Sequence, residues 1–269
     1  MFFFRKYTFH INYLLKYLRY VFTARWNGYG IHSPFVFNFY QSVLNTTIVE
    51  PDHRLLKLVH KRYKNEKDIV RCPSLGAGSV YGEDTLVSVK DFVTRSSVSF
   101  SKGTILYNLV RYFKPAAILE LGTGVGLSTI YIVRGYPQAS VVTVEGCLSK
   151  LEYARKQFSE KGLKSITTVH GEFEAELPGI LKKMKQVDMV FMDGDHRLHK
   201  TLNYFEMLLD YCHNETVLIL DDIHWSAEME KAWKCIQNYS EVRVTIDLFR
   251  FGIILFKKEL SRQNFIIKY

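Results

Sequence analysis

The chain has 269 residues, of which 47% are hydrophobic and 23% are charged, a balance that allows a sizeable buried core and excludes a disordered chain. No apolar run reaches the roughly 18 residues of a membrane span, and basic residues interrupt the apolar N-terminus, so we predict neither a membrane-spanning helix nor a signal peptide. The four cysteines form no CxxC pair, which argues against disulfides or a cysteine metal site and favours the cytoplasm. They are Cys72, Cys147, Cys212 and Cys235.

The net charge of +9 is distributed unevenly along the chain. The first 49 residues form a basic segment, which suits an acidic substrate, a nucleic acid or an anionic membrane surface. A solvated basic face that serves only solubility explains the same charges, so the asymmetry by itself selects no partner. Residues 1–49 contain no Asp or Glu and carry five basic side chains, namely Arg5, Lys6, Lys16, Arg19 and Arg25.

The first 100 residues are predicted to form a mainly helical extension. Apolar residues recur at helical spacing over residues 9–23, and a second helix is expected over residues 54–63. Between them, residues 26–44 are rich in aromatic side chains and are broken by glycine and proline. The glycine-rich stretch at residues 75–79 lacks the acidic strand end of a cofactor loop, so we interpret it as a structural loop.

From about residue 101 the chain alternates between short apolar strands and helices, a pattern typical of buried parallel strands. The last two β-rich runs, residues 242–247 and 252–257, are too close for a crossover helix and should pair antiparallel. We therefore predict a Rossmann-like, doubly wound, mostly parallel seven-stranded sheet with an antiparallel last strand. The other predicted strands are residues 116–121, 140–145, 165–170, 187–193 and 216–221, and the helices are residues 127–134, 148–161, 175–185, 198–211 and 226–239.

The most specific signal is the segment ILELGTGVGLST at residues 118–129. A buried strand contains Glu120, leads into three glycines and is followed by a helix. Glycines let a ligand approach the backbone closely, and the helix N-terminus offers free N–H groups to it. A nicotinamide site is disfavoured, because its fingerprint spaces the glycines GxGxxG and has no role for Glu120. Glu145, which ends the second strand, can accept hydrogen bonds from ribose hydroxyls in either kind of site.

The motifs ELGTGVG, TVEG, FMDGDH and LDDIHW, followed by a β-hairpin, resemble class I S-adenosylmethionine-dependent methyltransferases over residues 101–257. The resemblance implies that S-adenosyl-L-methionine is the cofactor and that Glu145 binds its ribose. It also implies an adenine pocket lined by Gly171, Glu172 and Phe173, although a loop turn with a core Phe explains these three equally well. The residues implied around the methionine part are Glu120, Gly122, Gly124 and Ser128, with Thr123, Gly126 and Asp193 also at the cofactor.

Three acidic residues end neighbouring strands: Asp193 follows the fourth strand of this core, and Asp221 and Asp222 end the fifth. Carboxylates that converge at one sheet edge repel one another unless a cation or a proton lies between them. The pattern resembles the metal-dependent O-methyltransferases, and the DD pair and the DGDH motif favour their sugar-modifying branch over the catechol-type branch. The resemblance implies an Mg²⁺ site at these three acids. The alternative is structural, with Asp222 capping the following turn or helix and Asp195 capping the helix after the fourth strand.

His196 lies three residues after Asp193, and the same resemblance makes it a general base that takes a proton from the attacking hydroxyl. An imidazole titrates near neutrality, so the role is chemically reasonable. The alternative is a histidine at a helix start that hydrogen-bonds only Asp195 or solvent. The predicted catalytic residues are thus His196 and Asp193.

The expected function is transfer of a methyl group to a hydroxyl of a small molecule, with Mg²⁺ assisting. The alternatives are an RNA- or lipid-directed methyltransferase and a catalytically silent cofactor-binding scaffold. The extension, residues 1–100, is interpreted as a lid over the acceptor pocket with aromatic walls at residues 26–40, or as a homodimer contact. Peripheral contact with the inner face of a membrane through the N-terminal helix stays open, whereas the absence of a recognisable RNA-binding module disfavours nucleic acid.

Overall fold

The computed structural model describes residues 2–72 and 85–269, and the side chains of residues 13–71 and 86–269. The predicted loop at residues 75–79 and the apolar side chains at the N-terminus therefore lie outside the described residues. None of the described helices combines the length and the apolar composition that crossing a bilayer requires.

The N-terminal part is mainly helical, as predicted, with the addition of a short antiparallel hairpin. Serine side chains begin three of its helices: the hydroxyl of Ser33, Ser88 or Ser99 accepts a hydrogen bond from an amide in the first turn. The elements are α1 (Phe2–Thr23), α2 (Pro34–Phe39), a π-helical turn (Tyr40–Leu44), α3 (Asp52–Tyr63), β1 (Ile69–Cys72), β2 (Thr85–Ser88), α4 (Val89–Ser96) and α5 (Phe100–Phe113).

The rest of the chain alternates between strands and helices as expected, with boundaries that differ from the prediction by a few residues. The elements are β3 (Ala117–Leu121), α6 (Leu127–Gly135), β4 (Ser140–Glu145), α7 (Leu148–Glu160), β5 (Ile166–His170), α8 (Phe173–Met184), β6 (Val187–Met192), α9 (Leu198–Leu209), β7 (Cys212–Asp221), α10 (Ala227–Ile236), β8 (Val244–Asp247), β9 (Phe251–Leu255) and β10 (Gln263–Ile266).

Within the described residues the main sheet has the order β10-β8-β9-β7-β6-β3-β4-β5. Strands β3 to β7 run parallel, and β9 is antiparallel to both β7 and β8, so the predicted doubly wound sheet and its reversed strand are confirmed. The predicted count of seven strands is wrong, because β10 adds an eighth strand parallel to β8. Its sequence, QNFI, is half-exposed at the sheet edge and lacks the apolar run of a buried strand.

Helices cover both faces of the sheet, which explains why its central strands are continuous apolar runs. On β3, Ile118 belongs to the core shared with α5, α6 and α7, whereas Leu119 belongs to the core shared with α8, α9 and α10. Each such side chain contributes about 1.5–3 kcal/mol by its burial. Phe39 of α2 and Leu56 of α3 lie in the same core as Ile118, so the N-terminal part packs directly on the sheet. The boundary near residue 100 stays a prediction.

Candidate active site

The glycine loop, residues 122–126, connects β3 to α6 at the carboxyl edge of the sheet. Gly122, Gly124 and Gly126 have φ of 104°, 52° and 83°, values that residues with side chains rarely adopt. A Cβ at Gly122 would lie 1.9 Å from the backbone oxygen of Asp193, so the loop approaches the end of β6 too closely for any side chain. The Gly122 amide donates a hydrogen bond to the Val144 carbonyl (2.9 Å). The loop thus joins the ends of β3, β4 and β6.

Glu120 lies beneath the glycine loop and is fully buried. Its carboxylate accepts hydrogen bonds from the hydroxyls of Ser128 (2.6 Å), Thr129 (2.5 Å) and Thr143 (2.7 Å). Burial raises the pKa of Glu120, and these hydrogen bonds offset part of the rise. Thr123 is buried as well, with its hydroxyl 2.6 Å from that of Thr143. The position of Glu120 therefore indicates that it holds α6 and β4 together below the loop, whereas direct contact with a cofactor was expected.

Glu145 ends β4 beside the glycine loop. Its two carboxylate oxygens accept hydrogen bonds from the amides of Gly124 (2.8 Å) and Cys147 (2.9 Å). The residue keeps 9% of its surface exposed, in contrast to Glu120. Glu145 thus orders the loop and still presents a small accessible carboxylate surface at the edge where a ribose is expected.

Gly171, Glu172 and Phe173 follow β5 at the same edge. The Gly171 amide donates to the backbone oxygen of Glu145 (3.2 Å). Phe173 is half-buried and packs against the Tyr204 ring, with 5.7 Å between ring centroids. A Cβ on Gly194 would lie 2.7 Å from the Phe173 ring, so this ring also contacts the turn after β6. The structure therefore brings the three residues predicted for the adenine pocket next to Glu145.

The three strand-end acids come together around a lysine that we had not predicted. Lys102 extends from the first turn of α5, and its Nζ donates to both oxygens of Asp221 (2.5 and 2.8 Å) and to Oδ1 of Asp222 (3.1 Å). The side chains of Lys102 and Asp221 are only 6% and 5% exposed. Asp193 lies in the same group, because a hydrogen bond to Asp221 and the nearby Lys102 charge both act on its carboxyl. A buried ammonium thus compensates the converging carboxylates.

The charges of this cluster set its protonation. Burial raises the pKa of Asp193 well above its usual value, and the Asp221 charge raises it further, whereas Lys102 lowers it. Burial also raises the pKa of Asp221, and the Lys102 charge offsets part of this rise. For Lys102 burial favours the neutral amine, but the facing carboxylates outweigh it and raise the pKa overall. Lys102 is therefore charged at neutral pH.

The three acids are carboxylates of the kind that bind Mg²⁺, but in this arrangement the Lys102 ammonium already binds two of them. The part of the chain that the structure describes contains no group of three His, Cys, Asp or Glu residues placed to hold a metal. Lys102 engages both oxygens of Asp221 and one of Asp222, so an incoming cation would have to displace its ammonium. The Mg²⁺ site at Asp193, Asp221 and Asp222 stays a prediction, and no chemical step below depends on it.

His196 lies at the edge of the carboxylate cluster. Its Nε2 is 3.7 Å from Oδ1 of Asp193, and the two side chains are 23% and 22% exposed. Asp195 and Asp222 do not cap the helices that follow them: α10 begins with the hydroxyl of Ser226, and Asp195 binds Arg197 and Tyr204. Asp222 closes the following turn only through its backbone oxygen, which accepts from the Trp225 amide. The structure therefore places a solvent-accessible imidazole beside Asp193 in the acid cluster.

An open cleft of about 480 Å³ lies next to this cluster. None of residues 26–40 lines this cleft, and Phe39 and Tyr40 are buried in the core, so the predicted aromatic walls of an acceptor pocket stay a prediction. Its walls come from the second half of α1, the start of α5, the turn between β8 and β9, and the end of the chain. The lining residues are Tyr13, Leu14, Tyr17, Tyr20, Ser101, Leu248, Phe249, Arg250, Lys268 and Tyr269.

Comparison with known proteins finds methyltransferases. A family model described as a methyltransferase domain matches residues 119–223, which contain the glycine loop and all three acids. The chain is 31% identical to a catechol O-methyltransferase of Sus scrofa over 135 residues, which are 47% of this chain and 70% of that protein. It is 26% identical to a catechol O-methyltransferase of Mus musculus over 217 residues, 77% of this chain and 76% of that protein.

A solved structure shows the same fold. The O-methyltransferase TomG of Streptomyces achromogenes, solved in complex with S-adenosylmethionine, superposes with a TM-score of 0.53 at 23% identity. The superposition covers 60% of this chain and 82% of that chain. At this identity the likeness concerns the fold, which agrees with the sheet order described above.

Proposed function

The chain belongs to the class I S-adenosylmethionine-dependent O-methyltransferases, and we propose that it methylates a hydroxyl of a small-molecule acceptor at the edge formed by the glycine loop, Asp193 and His196. The single observation that carries the proposal is this convergence, since a loop built for close ligand approach and an accessible imidazole share one edge of the sheet. The RNA- and lipid-directed alternatives have no comparable feature at this edge among the described residues.

The glycine loop fits the cofactor. Gly122 packs against the backbone oxygen of Asp193, which fixes the loop beside the end of β6, and the glycines leave the main chain without side chains that would keep a ligand away. In the proposal Gly122, Gly124 and the first amides of α6 hold the methionine part, and Glu145 accepts hydrogen bonds from the ribose. Glu120, Ser128 and Thr123 support these groups from beneath. The bound cofactor supplies an activated methyl group on a sulfonium.

The protein's own task is to align and deprotonate the acceptor. The new bond joins the acceptor oxygen to the methyl carbon as the bond from sulfur to that carbon breaks, which requires an in-line approach at near-contact distance. His196 takes the proton of the hydroxyl through its imidazole, and Asp193 orients the ring. Lys102 is a positioning residue, because it keeps Asp221 and Asp222 paired and so limits their repulsion of the negative charge developing on the acceptor oxygen.

The second half of α1 acts as a lid over the acceptor side of this edge. Tyr13, Tyr17 and Tyr20 pack on Phe249, with ring centroids 5.1 to 5.2 Å apart. Lys16 pairs with Glu230 of α10 at 3.1 Å. These contacts connect the lid to the turn after β8 and to the helix after β7, which lie on either side of the carboxylate cluster.

Calorimetric titration of the full chain with S-adenosylhomocysteine, with NADH as a control, tests the cofactor site. We expect micromolar binding of S-adenosylhomocysteine and no binding of NADH, because the loop has the GxGxG spacing and an acid before it. Binding of NADH alone would contradict the proposed function.

Two variants separate an active enzyme from a silent scaffold. Once an acceptor is found, His196→Ala should lower kcat by about 10²–10⁴-fold, the usual contribution of a general base, while the affinity for S-adenosylhomocysteine changes little. Asp193→Asn should lower kcat less than His196→Ala does. It should also change the pH profile of kcat, because the Asp193 carboxylate orients the imidazole of His196. Full activity of both variants would remove the catalytic assignment, and His199→Ala serves as the matched control.

A further inference from the structure

The open cleft beside the carboxylate cluster has the size of a small-molecule site. Its volume of about 480 Å³ falls within the roughly 300–1,000 Å³ common for ligand pockets. Ser101 lines it, and the next residue, Lys102, binds Asp221 and Asp222. The cleft is therefore adjacent to the carboxylate cluster, and the second half of α1 forms part of its wall.

Flat aromatic surfaces form much of the wall. The Phe249 ring packs edge-on against Tyr13 and Tyr17, at 5.2 and 5.1 Å between centroids. Tyr269 also lines the cleft. Rings held in this way provide rigid surfaces for stacking or edge contact with a planar ligand.

The charged side chains that line the cleft are basic. They are Arg250 and Lys268, and no acidic side chain is among the described residues that line it. Arg250 is exposed and forms no ion pair with any residue whose side chain the structure describes. The Lys268 ammonium lies 3.5 Å from the centre of the Trp26 ring, a contact that leaves its charge uncompensated by a carboxylate. The cleft thus has basic side chains without a carboxylate partner among the described residues, and aromatic walls.

We propose, building on the function proposed above, that this cleft is the acceptor site and that it selects an anionic acceptor with a planar ring. The ring contacts Tyr13 and Tyr17, which the buried Phe249 holds in place, and the anionic group pairs with Arg250 and Lys268. A guanidinium without a competing carboxylate binds a carboxylate or a phosphate by two parallel hydrogen bonds. A cationic acceptor would meet repulsion from both side chains.

Three probes that share a dihydroxyphenyl ring and differ in charge test this selection: 3,4-dihydroxybenzoate, catechol and dopamine. Each is titrated calorimetrically into the full chain saturated with S-adenosylhomocysteine, so the readout does not depend on turnover. We expect 3,4-dihydroxybenzoate to bind at least about tenfold more tightly than catechol, because of its charge-assisted contact, and dopamine to bind most weakly. Arg250→Gln should remove most of the preference for 3,4-dihydroxybenzoate and leave catechol binding unchanged.

Arg19→Gln is the matched control, since it removes one exposed positive charge from α1 outside the cleft lining. It should change none of the three affinities. Equal affinity for the three probes, no saturable binding of any of them, or an equal loss for all three in Arg250→Gln would overturn the proposed acceptor site. In each of these cases, intact binding of S-adenosylhomocysteine leaves the proposed function standing. If the wild type does not bind S-adenosylhomocysteine, both the proposed function and the proposed acceptor site are wrong.

Discussion

Close packing at Gly122 shows how one residue connects the cofactor loop to the catalytic edge. Its φ of 104° and the 1.9 Å approach of a notional Cβ to the Asp193 oxygen both exclude a side chain. The same contact places Asp193 directly beside the loop. A change at this residue therefore disturbs both the loop and the acid next to His196.

Gly122→Ala should be strongly destabilising. Overpacking costs about 1–3 kcal/mol and a positive φ costs an alanine about 1–2 kcal/mol, so we expect the free energy of unfolding to fall by about 2–5 kcal/mol. Gly162→Ala is the matched control, because Gly162 also has a positive φ of 63° but has no atom within 4 Å of a notional Cβ. Urea denaturation measures both variants, and equal losses would contradict the steric explanation.

We expect Lys102 to compete with a metal ion for the strand-end acids. Its ammonium binds Asp221 and Asp222, so removal of the ammonium frees carboxylate oxygens for a cation. Lys102→Met should therefore bind Mg²⁺ at least about tenfold more tightly than the wild type, as expected when a like charge is removed from a site. Calorimetric titration of Mg²⁺ into the wild type and Lys102→Met measures the two affinities. Lys156→Met, at an exposed lysine, is the control. Weaker Mg²⁺ binding by Lys102→Met would contradict this competition.

At the level of elements, α3, α5 and α6 meet around the buried His60. Its ring packs edge-on against Phe100 and Tyr131, and its Nε2 has no hydrogen-bond partner in the described part of the chain. Burial lowers the pKa of His60 from 6.5 to about 4. Helix packing at this point therefore requires a neutral imidazole.

The burial of a neutral His60 predicts that the free energy of unfolding decreases in acid. Between pH 6.5 and about 4 the unfolded chain binds a proton at His60 that the folded chain does not, so the free energy of unfolding falls as the pH falls. The full effect is about 3 kcal/mol at most. Urea denaturation at pH 7.5 and pH 5 should show a smaller loss for His60→Phe than for the wild type. His53→Gln, at a side chain that is 38% exposed, should behave like the wild type; an unchanged loss in His60→Phe would contradict the assignment.

At the level of the whole molecule, α1 has two different faces. One face carries the tyrosines that pack on Phe249, whereas the other exposes a row of apolar side chains beside a segment without acidic residues. Apolar residues at helical spacing combined with basic residues are typical of helices that lie in an anionic membrane surface. The exposed fractions are 55% for Leu14, 58% for Leu15, 42% for Leu18 and 85% for Phe22.

We therefore expect the protein to sediment with phosphatidylcholine vesicles that contain phosphatidylserine and not with phosphatidylcholine alone. The double variant Leu18→Glu/Phe22→Glu should weaken this binding by at least about tenfold, because burial of one large apolar side chain contributes about 1.5–3 kcal/mol. Leu58→Glu on α3, whose side chain is 60% exposed, is the control. Binding to both vesicle types alike, or a concentration-dependent dimer that the double variant abolishes, would instead indicate a different partner for this face.

The periodicity of the sequence was sufficient to predict the sheet wherever strands are buried on both faces. β3, β4, β6 and β7 each contain a mostly apolar stretch that is followed by glycine or an acid, so their composition indicates that they are buried. The elements that were missed lack such a run. β10 lies half-exposed at the edge, and α5 contains Lys102, Asn108 and Arg111 among its apolar residues.

The sequence by itself determined the fold class, the glycine loop and the strand ends at which the acids lie, because each depends on residues close together in the chain. Only the tertiary structure decided what faces those acids: Lys102 is 119 residues from Asp221, and no local pattern connects them. The same holds for Glu120, whose burial under three hydroxyls depends on how α6 packs on β4. Charge compensation and burial arise from long-range packing, which local periodicity does not encode.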